Sequence, residues 1–120
     1  MRDLDFFRKR VMARAAHTTI VKDEGKLAGF VSWSGVTLCS LFVNREYRSM
    51  GVGGILCAEA ERQLSSAGAK KINLDCVVGN FAARRFYEKR GWIFERILEG
   101  DEDMPEGFVR TKSWLMVKNV

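Results

Sequence analysis

The sequence predicts an α/β fold of the α+β kind, a mixed sheet with helices packed on its faces. Three patterns carry this reading. Ile72, Leu74, Cys76 and Val78 alternate with Lys71, Asn73 and Asp75, which is the two-residue period of a strand. Leu56, Ala60 and Leu64 recur every fourth residue, the period of a helix face. Between two apolar runs, Asp23-Glu24-Gly25-Lys26 has the composition of a hairpin turn.

Taken in order, residues 4–16 place Leu4, Phe7, Val11 and Ala15 at helical spacing, with Asp3 as the cap, and predict an amphipathic helix. Residues 18–22 and 27–34 form the hairpin, Ser34-Gly35 a second turn, and residues 36–43 a strand with few charges, expected to be covered on both sides. A helix follows over residues 52–67, with Gly68 at its C-terminal end. The strand at 71–78 comes next, and a strand-helix-strand connection of this length predicts a right-handed, parallel crossover. Asn80 caps a short helix reaching Arg90, with Ala83, Phe86 and Tyr87 on one face and Gly91 at its end. Residues 92–98 and 109–118 read as a closing hairpin around the polar loop 100–107.

With 120 residues, 47% of them hydrophobic and 29% charged, the chain is expected to form a single domain spanning 1–120. No apolar run approaches the roughly 20 residues of a membrane span, and the N-terminus lacks a signal-peptide core, so a cytoplasmic address is expected. Cys39, Cys57 and Cys76 are odd in number, widely spaced and set in apolar patterns. They read as reduced core thiols rather than a disulfide framework or metal ligands. The formal net charge of +5 favours an anionic partner. Nucleic acid is not expected, because the interleaved aromatic and basic stripe of single-strand binders is missing.

The stretch from Ser40 to Gly54 is an apolar strand that runs through Arg45-Glu46-Tyr47-Arg48 into a glycine-rich turn and a helix. Such a junction exposes consecutive backbone N–H groups at the positive end of a helix dipole, which is a phosphate site in outline. It is no P-loop, since Gly53-Gly54-Ile55 carries no lysine. A dinucleotide fingerprint is disfavoured by the bulky Leu56 where a third small residue is needed.

Arg48-x-x-Gly51-x-Gly53, placed straight after an apolar strand and opening a helix, resembles the Gln/Arg-x-x-Gly-x-Gly/Ala signature of the GCN5-related N-acetyltransferase (GNAT) family. A second block, Asn80-x-x-Ala83-x-x-Phe86-Tyr87-x-x-x-Gly91-Trp92, is similar to another segment of that family, at the expected distance from the first. The resemblance runs from about residue 18 to residue 117. It implies a mostly antiparallel sheet containing a splayed parallel strand pair, and transfer of an acetyl group from acetyl-CoA to a primary amine by direct attack in a ternary complex. The alternative it leaves open is a non-catalytic acyl-CoA-binding or regulatory module.

By this resemblance the cofactor is held by Leu41, Phe42 and Val43 along the strand and by Arg48, Ser49, Met50, Gly51, Val52, Gly53 and Gly54 at the turn. Asn80, Ala83, Phe86 and Tyr87 complete the set from the second block. Tyr87 is expected to be the general acid that protonates the leaving thiolate, a task suited to a phenol of pKa about 10. Glu46, His17 and Cys39 are the candidates for the base, and Glu46 is carried as the catalytic one. Each also has a plain structural role, as a solvated loop charge, a helix-end imidazole and a packing thiol respectively.

The chain departs from the family pattern at its N-terminus, where a first strand and helix are expected to be missing. That would leave a strand edge exposed. Either a second subunit covers it, giving a homodimer, which is the favoured expectation, or transfer activity is weak or lost. The acceptor is not identified by the sequence; the one hint toward a cationic amine is the acidic run Asp101-Glu102-Asp103.

Overall fold

The computed structural model describes residues 11–15, 17–99 and 112–120, which fall into two compact units, one running to Lys70 with Val120 added and the other comprising Lys71–Asn119.

The first unit is a four-stranded antiparallel sheet in the order β1 (Val11–Ala15), β2 (Thr18–Asp23), β3 (Lys26–Ser34), β4 (Thr37–Val43), with the helix α1 (Val52–Ser66) packed against β3 and β4. The β2–β3 turn is made by Glu24 (φ 51°) and Gly25 (φ 86°), a pair of positive-φ residues whose twist suits a two-residue hairpin. Val21, Ala28, Val31 and Leu38 of the strands bury against Val52, Ile55, Leu56, Cys57, Ala60 and Leu64 of the helix. The apolar line of the helix, at four-residue spacing, is therefore its core face. Gly68 (φ 102°) ends α1: its N–H donates to Ser65 O, and Ala69 N–H reaches back to Leu64 O, satisfying two of the last carbonyls.

Two expectations are corrected here. The helix predicted over residues 4–16 does not extend across 11–15, which form β1 and pair with β2 from Val11↔Lys22 to Ala15↔Thr18; residues 1–10 lie outside the described ones. Pairing with β2 at two-residue spacing overrides a helical pattern that short polar-apolar segments satisfy by accident. A strand therefore precedes the hairpin, and the edge of β2 is paired within the chain, which removes the ground for a second subunit at that edge. Second, β4 is not covered on both sides: Cys39, Ser40 and Phe42 are exposed, so Cys39 is no core thiol, whereas Cys57 and Cys76 are buried.

The second unit is a three-stranded antiparallel sheet in the order β5 (Lys71–Val77), β7 (Ser113–Asn119), β6 (Ile93–Leu98), with α2 (Phe81–Glu88) between β5 and β6 in sequence. Ile72, Leu74 and Cys76 bury with Trp114 and Met116, and Trp92, 1% exposed, plugs the passage from α2 to β6. The helix ends at Glu88, two residues short of the predicted Arg90, and the predicted Gly91 (φ 91°) closes the turn beyond it, Gly91 and Trp92 donating to Glu88 O and Tyr87 O. β7 runs over Ser113–Asn119, and both its predicted start at 109 and the acidic run 101–103 fall outside the described residues.

Candidate functional site

At the end of β4 the backbone is fastened before it turns. Asn44 N–H donates to Ala28 O at 2.8 Å, its Nδ2 donates to Leu27 O at 3.0 Å, and its Oδ1 accepts from Glu46 N–H at 3.4 Å. The Arg45–Tyr47 segment is a single 3-10 turn, and the Tyr47 hydroxyl donates to Asp23 Oδ2 at 2.9 Å. These bonds tie the turn to the β2–β3 hairpin from both ends. The carboxylate beside it stabilises the neutral phenol and raises the pKa of Tyr47.

Beyond Arg48 the chain takes left-handed conformations at Ser49 (φ 67°) and Gly51 (φ 82°), then enters α1. Gly51 occupies the N-cap position and supplies no capping side chain. The first-turn N–H groups of Val52, Gly53 and Gly54 have no acceptor within the helix, because such acceptors would lie before its start. Two adjacent glycines keep that turn free of side chains. The donor set, several N–H groups at a helix N-terminus beside exposed Arg45 and Arg48, fits a polyanion such as a pyrophosphate.

A further residue sets this geometry. A Cβ built on Gly29 would sit 2.5 Å from Phe42 O, 3.0 Å from Leu56 Cδ1 and 3.2 Å from Val52 Cγ1. Gly29 lies opposite Val43 and lets β3, β4 and the first turn of α1 converge. Sequence reading passed over Gly29, Asn44 and Tyr47. An asparagine closing an apolar strand was a usable signal, but the contacts of Gly29 and Tyr47 with segments more than ten residues away were not readable in one dimension.

Leu41, Phe42 and Val43 lie together on β4, opposite Val31, Phe30 and Gly29, with the Phe42 and Phe30 rings stacked at 5.5 Å. They join Ser49 to Gly54 in the first unit. Glu46 is exposed and ion-paired with Lys26, whose ammonium is held charged by it and has a raised pKa. His17 is not at a helix end: it occupies the turn before β2 (φ 61°), with its ring edge-on to Trp33 at 6.4 Å.

In the second unit Asn80 Oδ1 accepts from Ala83 N–H at 3.2 Å and caps α2. Ala83, Phe86 and Tyr87 share the half-buried face of this helix. The Tyr87 ring stands edge-on to Phe86 at 5.2 Å and to Trp92 at 5.9 Å, which fixes its orientation. Arg84 lies over Phe94 at 4.9 Å and Trp114 at 4.6 Å, pinning α2 to its sheet. Among the described residues no group of three or more His, Cys, Asp or Glu could hold a metal ion.

The fold matches those of solved N-acetyltransferases. A GCN5-related N-acetyltransferase from Rhodopseudomonas palustris superposes with a TM-score of 0.72 at 20% identity, covering 98% of this chain and 66% of that one. Arabidopsis thaliana Naa50, solved with a bisubstrate analogue containing coenzyme A, gives 0.71 at 19% identity, over 97% of this chain and 81% of that one. The PaiA N-acetyltransferase of Thermoplasma acidophilum, solved with coenzyme A, gives 0.65 at 21% identity, covering 86% and 60%. An uncharacterised N-acetyltransferase of Methanocaldococcus jannaschii is 32% identical over 75 residues, which are 62% of this chain and 48% of that protein. The chain thus aligns with about half the length of that relative. The class is therefore an α+β acyltransferase fold. Residues 1–92 match the model of the Acetyltransferase (GNAT) family, and the chain belongs to that family, whose cofactor is acetyl-CoA.

Proposed function

We propose that the chain is an acetyl-CoA-dependent N-acetyltransferase that acetylates a primary amine by direct attack in a ternary complex. The observation that carries the proposal is the uncapped first turn of α1 behind a left-handed Gly51, in the position of the family signature. The N–H groups of Val52, Gly53 and Gly54 would hold the pyrophosphate, and Arg48 would add charge. Backbone groups of Leu41, Phe42 and Val43 would align the pantetheine arm and polarise the thioester carbonyl. When bound, acetyl-CoA supplies a thioester open to attack by an amine.

Asn80, Ala83 and Phe86 are assigned to the cofactor and Tyr87 to proton donation, on the family resemblance. A phenol keeps its proton at neutral pH and can release it to a thiolate formed beside it. Glu46 is the proposed base. Its pairing with Lys26 favours the second reading, an acyl-CoA-binding module without turnover, because the carboxylate is already engaged by another side chain of the same unit. A reducing, cytoplasmic setting belongs to the same proposal, supported by three cysteines outside any disulfide.

Calorimetric titration with acetyl-CoA, followed by mass spectrometry of a panel of primary amines, tests the proposal. Saturable binding with acceptor-dependent acetylation is expected. Binding without acetylation would select the module, and absence of binding would overturn both.

A further inference from the structure

Among the described residues β6 is the terminal strand of its sheet, pairing with β7 on one side, and it exposes Ile93 (62%), Phe94 (41%) and Ile97 (50%). An open apolar edge of this kind is a template for another strand, and proteins ordinarily blunt it with charges or a bulge. Here both devices are present, and both are symmetric about one point. The strand reads Ile93-Phe94-Glu95-Arg96-Ile97-Leu98, so that about the bond between Glu95 and Arg96 apolar residues mirror apolar ones and a negative charge mirrors a positive one.

The faces obey the same symmetry. The register with β7 shifts between Phe94 and Arg96: Phe94 and Ile97 stand opposite Met116 and Trp114, while Ile93, Arg96 and Leu98 stand opposite Val117, Leu115 and Ser113. Residues alternate faces along β7, so Phe94 and Ile97 share one face and Ile93, Arg96 and Leu98 the other. Glu95, the residue the shift leaves over, bonds through Oε1 to Lys71 at 3.0 Å. Lys71 stands opposite Asn119, which places Glu95 on the face of Arg96.

We propose that β6 is a self-recognition edge, pairing antiparallel with β6 of a second copy about a two-fold axis between Glu95 and Arg96. In that register Ile93 meets the partner's Leu98, Phe94 meets the partner's Ile97, and Glu95 meets the partner's Arg96, each pair on a common face. Glu95 Oε2 faces the partner while Oε1 keeps Lys71. The bulge selects the occupant. A regular strand laid against β6 would fall out of face at Glu95-Arg96, whereas a strand with the same bulge at the same place stays in register throughout.

Sedimentation velocity on the full chain across the micromolar range tests this, with far-UV circular dichroism as the check on folding. The wild type is expected to associate to twice its 13.6 kDa mass. Glu95→Arg and Arg96→Glu each place like charges opposite one another twice per dimer and should weaken association by about tenfold or more. Mixed in equal amounts, these two variants should form a heterodimer, since every cross-pair is then of opposite sign. Ile97→Lys should give a folded monomer. A wild type that stays monomeric overturns the proposal. So does a dimer indifferent to Glu95→Arg, Arg96→Glu and Ile97→Lys, and so does a mixture no more associated than its components. None of these readouts depends on acetyl transfer.

Discussion

The two tyrosines of the chain sit in different chemical settings. Tyr47, 8% exposed, spends its hydroxyl on Asp23 and serves the geometry of the turn. Tyr47→Phe is expected to lower the melting temperature by a few degrees and to weaken coenzyme A binding, read by calorimetry at neutral pH. Because the folded pKa of Tyr47 is raised, its contribution is complete below the ordinary phenol pKa of about 10 and is lost as pH rises through the folded value. The advantage of the wild type over Tyr47→Phe should therefore shrink in alkaline melts; parallel curves up to the most alkaline pH would show that the bond is unimportant. Tyr87 is held by two aromatic neighbours. Tyr87→Phe preserves that packing, and if Tyr87 is the general acid the turnover number should fall by about a hundredfold with acetyl-CoA affinity unchanged. Equal turnover would end that assignment.

At the scale of elements, β3, β4 and α1 meet closely at Gly29. Gly29→Ala would press a methyl group on the carbonyl oxygen of Phe42, a backbone atom that cannot swing aside, as well as on Leu56 and Val52. A loss of about 1–3 kcal/mol is expected in urea unfolding, together with weaker coenzyme A binding as the first turn of α1 shifts. Gly51→Ala tests the other side of the junction. A Cβ in the left-handed region costs about 1–2 kcal/mol, and the first-turn N–H groups should lose alignment. α2 is held differently, with no fully buried residue, and depends on its cap, on Arg84 between two rings and on its glycine-ended C-terminus.

For the whole molecule, thiol accessibility reports whether burial is as described. Cys39 is exposed, while Cys57 and Cys76 are buried and burial raises the pKa of the Cys76 thiol. A disulfide reagent should modify one thiol per chain rapidly in the native state and all three in denaturant, with the fast phase abolished by Cys39→Ser. Three fast thiols would contradict the core.

Much of this was legible in one dimension, because the signals are local. The hairpin turn, the alternation along β5, the four-residue line of α1, the Asn80 cap and both glycine-ended helices each depend on residues a few positions apart. The two family blocks are local as well, so the family resemblance was legible from residue types and spacing, and the cofactor followed from the resemblance. Tertiary pairing decided the rest. Val11–Ala15 became a strand because β2 offered it hydrogen bonds that no local pattern records. Cys39 lies in an apolar strand yet faces solvent, since burial depends on which face is covered. Gly29, Tyr47 and the mirrored faces of β6 acquire their meaning only from neighbours distant in sequence. The chain by itself determined the family and where its signature falls, at the head of α1, because the residue types of that motif lie a few positions apart. The tertiary structure alone decided what holds that turn in place and which edges stay open, because contacts between distant segments set both.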